Sequence, residues 1–403
     1  MATLLQSGRT APSSRLTTWR CALSRMSGRR EDPPRHRRSA GRHRRRGRAS
    51  SAVASDPEGF ASLVESDKYK GWLLDQFGVL HDGVNAYPHA IELVELLHQR
   101  GCSLVILTNS ARRAPHTFAR LETLGFKKEW FAGVATSGDV THRVLSLPPG
   151  EADPTLLPVD HPLWRDLDLP SEAKAGGVPT RKRRCVHLLW KTHDLVNGID
   201  LEALDIDVVE DPDEADFVLV HWFDTMALPK TPEMAAKGEP FPLRKVSESD
   251  VDAILARCAA RQIPMLVANP DIVANKGDKL LPMPGSLAVK YNQDLGVPLE
   301  RIHLLGKPSP IVYNLARQSF LSDIRKEEII AVGDSLEHDI QGACVFEIDS
   351  AFITRGIHCG DLHENEECAI PEDLWCNLEE LERLCEEHSA DPTVCSEIFG
   401  LGQ

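Results

Sequence analysis

The stretch Gly71–Gly83, GWLLDQFGVLHDG, is the part of the sequence that decides the fold class. Its apolar start, Gly71–Leu74, has the length of a buried strand, and it ends at the carboxylate of Asp75. Gly78 permits a sharp turn shortly afterwards. Ligands bind beyond the carboxyl ends of strands in open parallel sheets, so this arrangement predicts a functional site at Asp75.

Helix-like and strand-like patterns alternate after this stretch. A helix is predicted over 87–100, with Gly101 as its C-cap, and the apolar strand Ser103–Leu107 follows it. That strand ends at Thr108-Asn109-Ser110, and a second helix is predicted over 117–124. Such alternation is typical of an α/β fold with a parallel sheet covered by helices.

Two later apolar runs also end in polar residues. Arg301–Leu305 (RIHLL) precedes Lys307, and Glu328–Val332 (EIIAV) precedes Gly333-Asp334-Ser335. If the strands are parallel neighbours, all four polar clusters meet at one edge of the sheet.

The side chains in these clusters suit phosphate chemistry. A carboxylate at a strand tip, such as Asp75, can attack phosphorus, whereas the DxxG pattern alone is more often a turn. Thr108, Asn109 and Ser110 can hydrogen-bond phosphate oxygens, although a Thr-Asn pair after a strand is commonly a cap. Lys307 can offset phosphate charge and hold the nucleophile ionised.

The stretch GDSLEHD carries the carboxylates Asp334 and Asp339. Mg²⁺ prefers oxygen ligands and keeps several waters, so one or two carboxylates besides Asp75 suffice to bind it. The alternative is that Asp334 or Ser335 caps a helix.

The segment between the second and third clusters is long enough for a domain of its own. It begins with a predicted loop over Leu147–Arg184 and then contains strand-like runs at Val186–Trp190, Asp216–Trp222 and Pro264–Ala268. The predicted organisation is a core of residues 56–140 and 299–367, an inserted α/β domain of residues 141–298, and an acidic tail of residues 368–403 with a helix at 377–385.

Charge is distributed unevenly along the 403 residues. Residues 1–50 hold 14 arginines and a net charge of +12, whereas the rest of the chain carries −26. Because this acidic part of the chain repels nucleic acid and anionic membranes, neither is expected as a partner. The arginine-rich start predicts an organellar transit peptide over residues 1–55, for a chloroplast or alternatively a mitochondrion. An alternative interpretation of residues 34–48 is an RNA-binding or nuclear-import arm.

None of the ten cysteines forms a CxxC pair, which disfavours a zinc knuckle or a redox couple and favours free thiols.

Taken in order, the four clusters are far more specific than any one of them. Asp75 in DQFGVLHDG, Thr108-Asn109 after a strand, Lys307 in GKPS and Asp334 in GDSLEHDIQGA resemble the four motifs of the haloacid dehalogenase superfamily. The inserted domain resembles the cap of its class IIA members, which include nitrophenyl-phosphatase-like, phosphoglycolate and pyridoxal phosphatases. The stretch Ala268–Tyr291 resembles the return from cap to core in that class.

The resemblance implies a role for each motif residue. Asp75 would be the nucleophile and a Mg²⁺ ligand, and the backbone carbonyl of Phe77 would be a second ligand. Thr108, with Asn109 and Ser110 beside it, would bind the phosphoryl group of a small phosphorylated metabolite. Lys307 would orient Asp75, and Asp334 would complete the metal site with support from Asp339.

Phe77 departs from the family pattern. Phosphatases of the superfamily place a second aspartate there as the general acid–base, and losing such a group typically costs about 10²–10⁴ in rate. Three functions therefore stay open: a Mg²⁺-dependent phosphomonoesterase, a degenerate phosphate-binding or regulatory protein, and a dehalogenase-type hydrolase. His81 and Asp82 are candidate replacements for the acid, although a loop histidine is more often solvated. The oligomeric state, including a homo-oligomer, is left open.

Overall fold

The structure, a computed structural model, describes residues 54–55, 60–170, 174–175, 178–190, 201–276, 279–363 and 376–401. The arginine-rich segment, for which a transit peptide is predicted, lies outside this range apart from residues 54–55.

Eighteen strands and twelve α-helices form the described part of the chain. The strands, in chain order, are β1 (Ala54–Ser55), β2 (Gly71–Leu74), β3 (Ser103–Thr108), β4 (Gly133–Thr136), β5 (Lys174–Ala175), β6 (Val178–Pro179), β7 (Arg183–Leu189), β8 (Ile206–Val208), β9 (Phe217–Val220), β10 (Thr225–Ala227), β11 (Leu243–Lys245), β12 (Met265–Val267), β13 (Val273–Lys276), β14 (Lys279–Pro282), β15 (Ile302–Leu304), β16 (Ile329–Gly333), β17 (Asp349–Ile353) and β18 (Val394–Ser396). The helices are α1 (Ala61–Glu65), α2 (Pro88–Gln99), α3 (Ala114–Thr123), α4 (Ser137–Ser146), α5 (Pro162–Asp166), α6 (Pro232–Ala236), α7 (Glu248–Ala260), α8 (Gly285–Gln293), α9 (Pro310–Phe320), α10 (Gln341–Phe346), α11 (Cys359–Leu362) and α12 (Leu378–His388).

The first sheet has seven parallel strands in the order β1-β18-β17-β16-β2-β3-β4. Every residue of β2, β4 and β16 is buried. Strands that are apolar along their whole length are typical of a parallel sheet with helices on both faces, and this confirms the predicted α/β class. The strand order also places β2 inside the sheet, between β16 and β3, so Asp75 follows a strand with neighbours on both sides.

The second sheet has the order β11-β10-β7-β9-β12-β15, with β8 paired to β7. Strands β7, β9, β12 and β15 are parallel to one another. Strand β10 runs antiparallel to both of its neighbours, β7 and β11. The strand that leads to Lys307, β15, was expected in the first sheet, but it pairs with β12 in the second. The reason is packing, because Ile302 and Leu304 are buried in the apolar core of the second sheet.

The predicted loop over Leu147–Arg184 is more structured than expected. It contains α5, and β7 already begins at Arg183. Leu163 and Trp164 anchor α5 because both are buried in the main apolar core.

The C-terminal segment is part of the first domain and not an appended tail. Its helix extends to His388, beyond the predicted end, and β18 joins the first sheet. Leu381 and Leu384 pack in an apolar cluster with Leu336 and Phe352, which accounts for the docking of this otherwise acidic helix.

No helix among the described residues is both long enough and apolar enough to cross a bilayer.

Candidate active site

Asp75 lies at the tip of β2, where its backbone N–H donates to the carbonyl of Val332 at 3.0 Å. The turn that follows needs Gly78, which has a φ of +76°. A Cβ atom at this position would lie only 1.8 Å from Oδ2 of Asp334. The loop after the first motif therefore lies directly against the carboxylate of the fourth, which only a glycine allows.

Lys307 joins two of the carboxylates. Its buried Nζ donates to Oδ1 of Asp75 at 2.7 Å and to Oδ1 of Asp339 at 2.6 Å. Burial alone would lower the pKa of Lys307, but the negative charges of Asp339 and Asp75 raise it above its ordinary value. Lys307 is therefore a permanent cation at the site.

Asp334 and Asp339 are the two buried acids of the cluster. Asp334 Oδ2 accepts a hydrogen bond from the N–H of Ile357 at 2.9 Å, and Asp339 Oδ2 accepts one from Ser335 at 3.2 Å. Burial and the charges of Asp75 and Asp339 raise the pKa of Asp334 well above its ordinary range. Burial raises the pKa of Asp339 to about 6, even though Lys307 opposes the shift.

Asp75, Asp334 and Asp339 each offer an oxygen, and these oxygens all lie within 4.8 Å of one another. We call these three residues the acidic site. Lys307 balances one of the three charges, so an excess of negative charge is left, which adds to the effect of burial on the pKa of Asp334. An all-oxygen donor set with excess negative charge fits a hard divalent cation such as Mg²⁺.

The polar residues after β3 are divided between two tasks. Asn109 fixes the third motif, because its Oδ1 accepts from Lys307 N at 2.7 Å and its Nδ2 donates to Lys307 O at 3.1 Å. The buried Thr108 accepts a long hydrogen bond from Ser110 N at 3.3 Å, and its hydroxyl proton is the group that can be donated to a phosphate. Asn109 thus positions Lys307, a contact that was not predicted.

Asp271 and His338 also border the site, and the sequence did not single them out. Asp271 Oδ1 accepts from Asn109 Nδ2 at 2.8 Å, and His338 Nε2 lies 3.9 Å from the same oxygen. Asp271 belongs to the stretch that resembles the return from cap to core, so its position after β12 was the available signal.

The position of the family's general acid is taken by an open apolar surface. The Phe77 side chain is 59% exposed, and its ring packs edge-on against His81 with a centroid separation of 4.7 Å. A Cβ at Gly83 would lie 2.8 Å from the same ring. The Phe77 ring therefore covers the turn after β2 and offers no proton.

His81 was expected to be solvated, but it is buried, with 1% of its surface exposed. Its Nδ1 accepts from the N–H of Gly83 at 3.0 Å, so the proton of the neutral ring lies on Nε2, which has no hydrogen-bond partner among the described residues. Burial lowers the pKa of His81, although the charge of Asp75 opposes this. A histidine held neutral in this way is a poor general acid.

The carboxylate of Asp82 accepts hydrogen bonds from the backbone of the turn that follows it. Its Oδ1 accepts from the backbone N–H groups of Val84 and Asn85 at 2.7 and 2.6 Å. These two bonds, from Asn85 and Val84, hold the pKa of Asp82 below its ordinary value, so this carboxyl is ionised and cannot donate a proton near neutral pH.

Comparisons with known proteins identify the family models that the chain matches. Residues 72–156 match the model of a haloacid dehalogenase-like hydrolase family, and residues 304–381 match a second, HAD-hydrolase-like model. No curated protein matches the chain.

Several solved structures share the fold. One is a haloacid dehalogenase-like family hydrolase from Brucella suis 1330, with a TM-score of 0.56, 24% identity, and coverage of 86% of this chain and 99% of that one. A p-nitrophenyl phosphatase from Archaeoglobus fulgidus has a TM-score of 0.51 and 17% identity, and the match covers 83% of this chain and 97% of that one. The 4-nitrophenylphosphatase from Thermotoga maritima has a TM-score of 0.50 and 19% identity, with coverage of 83% and 96%.

Proposed function

This chain belongs to the haloacid dehalogenase superfamily, and we propose that it is a Mg²⁺-dependent hydrolase of small phosphate monoesters that uses Asp75 as its nucleophile. The observation that carries the proposal is the contact of Asp75 with Lys307 inside a cluster of three carboxylates.

The first chemical step needs an ionised, oriented Asp75. One carboxylate oxygen attacks phosphorus, the bond between phosphorus and the leaving oxygen breaks, and an aspartyl phosphate forms. Lys307 holds the carboxylate of Asp75 in place, since its Nζ donates to Oδ1 of Asp75 at 2.7 Å. Thr108 is placed to donate its hydroxyl proton to the transferring phosphoryl group.

Asp75, Asp334, Asp339 and the carbonyl of Phe77 would hold the Mg²⁺ ion, which lowers the repulsion between Asp75 and the phosphate dianion. Asp339 contributes mainly through Lys307, because its Oδ1 accepts from Lys307 Nζ at 2.6 Å.

The missing acid determines the class of substrate. Neither Phe77, His81 nor Asp82 can protonate a departing alkoxide near neutral pH. Leaving groups that are stable as anions, such as phenolates, enolates or carboxylates, need no such proton. We therefore expect aryl, enol or acyl phosphates to be cleaved much faster than alkyl phosphates.

Hydrolysis of the aspartyl phosphate, the second step, is slowed by the same missing acid–base group. The general acid of the family later activates the water that hydrolyses the aspartyl phosphate, and Phe77 cannot accept that proton. Hydrolysis of the phosphoenzyme is therefore expected to limit turnover.

A series of aryl phosphates with leaving groups of different basicity tests the proposal. We expect the logarithm of kcat/KM to fall steeply as the pKa of the leaving phenol rises, and the slope to flatten in Phe77→Asp. Phe77→Asn is the matched control, because asparagine is similar in size to aspartate but cannot transfer a proton. A shallow slope in the parent protein would show that another residue supplies the acid.

A phosphate-binding or regulatory protein is the second candidate, and the exposed Phe77 ring is the observation that favours it. That candidate predicts binding of inorganic phosphate with Mg²⁺ but no cleavage of any aryl phosphate. A dehalogenase would instead cleave a haloacid, because a halide leaves without a proton.

A further inference from the structure

A second group of side chains that could hold a metal ion includes Glu337, three residues after Asp334. Glu337, His358 and His388 are 9%, 8% and 3% exposed, and they come from three separate segments of the chain. Glu337 lies in the π-helical turn Leu336–Ile340, His358 lies just before α11, and His388 is the last residue of α12. One donor atom from each lies within 4.8 Å of the others, and we call these three residues the histidine site.

The distances between the donor atoms approach those required for one ion. Glu337 Oε2 lies 3.1 Å from Nδ1 of His388 and 3.8 Å from Nε2 of His358. Ligands about 2.0–2.1 Å from a tetrahedral zinc ion are about 3.3 Å apart. Small side-chain movements would therefore bring all three atoms to bonding distance.

The other nitrogen of His358 lies near a carboxylate, within reach of a hydrogen bond after a small side-chain movement. Nδ1 of His358 lies 3.6 Å from a carboxylate oxygen of Asp361. Metal-binding histidines commonly donate their second ring N–H to a carboxylate, which fixes the tautomer and turns the free lone pair towards the ion. Nε2 of His358 accepts a long hydrogen bond from Leu336 N at 3.4 Å, and its lone pair would leave this weak contact to bind an ion.

The donor set distinguishes this group from the acidic site. Two imidazoles and one carboxylate favour zinc, whereas three carboxylates favour magnesium. We propose that Glu337, His358 and His388 bind one Zn²⁺ ion, with a water molecule in the fourth position.

The expected role is to hold the C-terminal helix and the fourth motif together. His388 ends α12, Glu337 follows Asp334 by three residues, and the residue before His358, Ile357, donates its N–H to Asp334 at 2.9 Å. The three ligands are buried, so the ion has no room for a substrate and acts as a structural link that positions the loop around Asp334.

The zinc content of the full-length protein tests the proposal. The protein is stripped with a chelator, reloaded with Zn²⁺ in the presence of excess Mg²⁺ to occupy the acidic site, and desalted. Mass spectrometry of the metals is expected to find one zinc per chain in the parent protein and less than about a tenth of that in His358→Gln and His388→Gln. Asp75→Asn and His363→Gln are matched controls, since His363 bonds Thr354 at 3.0 Å outside the histidine site, and both should keep the zinc.

A spectrum of the Co²⁺-loaded parent protein covers the case in which the histidine variants do not fold. Tetrahedral nitrogen and oxygen ligation is expected to give intense visible absorption bands. A folded parent protein that binds no zinc and shows no such bands would overturn the proposal, and would leave a buried ion pair between Glu337 and His388. Equal zinc in the parent and in both folded histidine variants would also overturn it.

Discussion

Lys307 Nζ reaches Asp75 Oδ1 at 2.7 Å from a different sheet, because Asp75 follows β2 of the first sheet and Lys307 follows β15 of the second. The carboxylate and the ammonium group are therefore brought together where residues that follow strands of the two sheets meet. A change in how the two sheets are arranged would change the distance between the two charged atoms, which links the second sheet to the chemistry proposed for Asp75.

Lys307→Met tests this contact. The substitution keeps the apolar stem but removes the charge that orients Asp75 and offsets the phosphate, so we expect kcat/KM for an aryl phosphate to fall by about 10²-fold or more. Steady-state kinetics on folded protein measure the effect. Lys237→Met is the control, because Lys237 is 70% exposed, and its activity should stay within a factor of two or so of the parent.

Phe77→Asp tests the missing acid. We expect turnover of alkyl phosphates to rise by about 10²-fold or more, because the new carboxyl can protonate the leaving oxygen. His81→Gln should have little effect, since His81 is neutral and its Nδ1 is bonded to the Gly83 backbone. The measurements need saturating Mg²⁺, because a carboxylate beside Asp75 raises the pKa of both groups. A large loss in His81→Gln would instead identify His81 as the acid.

Asp334→Asn tests the metal site by isothermal titration with Mg²⁺. Removing one carboxylate from the acidic site should weaken binding by about 10-fold or more. Asp205→Asn, at a position 78% exposed on the surface, is the control and should bind as the parent does. Equal affinities in Asp334→Asn and the parent would remove Asp334 from the metal site.

His221 predicts a pH dependence of stability. Burial lowers the pKa of His221 from 6.5 to about 4 in the folded protein, and the neighbouring His187 is lowered as well. The unfolded chain therefore takes up a proton first as the pH falls, so His221 stabilises the fold above pH 6.5 and loses this contribution as the pH falls towards 4. The loss at pH 5 is about 2 kcal/mol.

Urea unfolding at about pH 7.5 and about pH 5 measures this loss. His221→Asn should lose about 2 kcal/mol less than the parent between the two pH values, whatever its absolute stability. His98 is exposed, so the free energy of unfolding of His98→Asn should fall between the two pH values by as much as that of the parent. If His221→Asn loses as much as His98→Asn, His221 does not carry the effect.

The tip residues of the first sheet were predictable because each follows an apolar strand. Asp75, Thr108 and Asp334 all occupy the strand ends expected from the sequence. The strand before Lys307 was assigned to the wrong sheet, since an apolar run such as RIHLL suits either one. The burial of His81 also escaped prediction, because it depends on the Phe77 ring and the turn at Gly83 and not on local polarity.

The histidine site could not be predicted, because its members are far apart in sequence. Glu337 lies in a motif, but His388 lies in a segment that looked like an acidic tail. Only the docking of α12 through Leu381 and Leu384 brings His388 to within 3.1 Å of Glu337. Apolar packing therefore creates a polar cluster that no local pattern indicates.

The most direct test of the central claim is a rapid-quench experiment with 4-nitrophenyl phosphate and Mg²⁺, followed by mass spectrometry of the peptide that contains Asp75. Nitrophenolate leaves without a proton, whereas the phosphoenzyme lacks a base to hydrolyse it. We therefore expect a burst of about one nitrophenolate per chain and a phosphoryl group on Asp75. The burst should disappear in Asp75→Asn. Nitrophenolate release that continues in Asp75→Asn, with no phosphoryl group on Asp75 in the parent, would show that Asp75 is not the nucleophile.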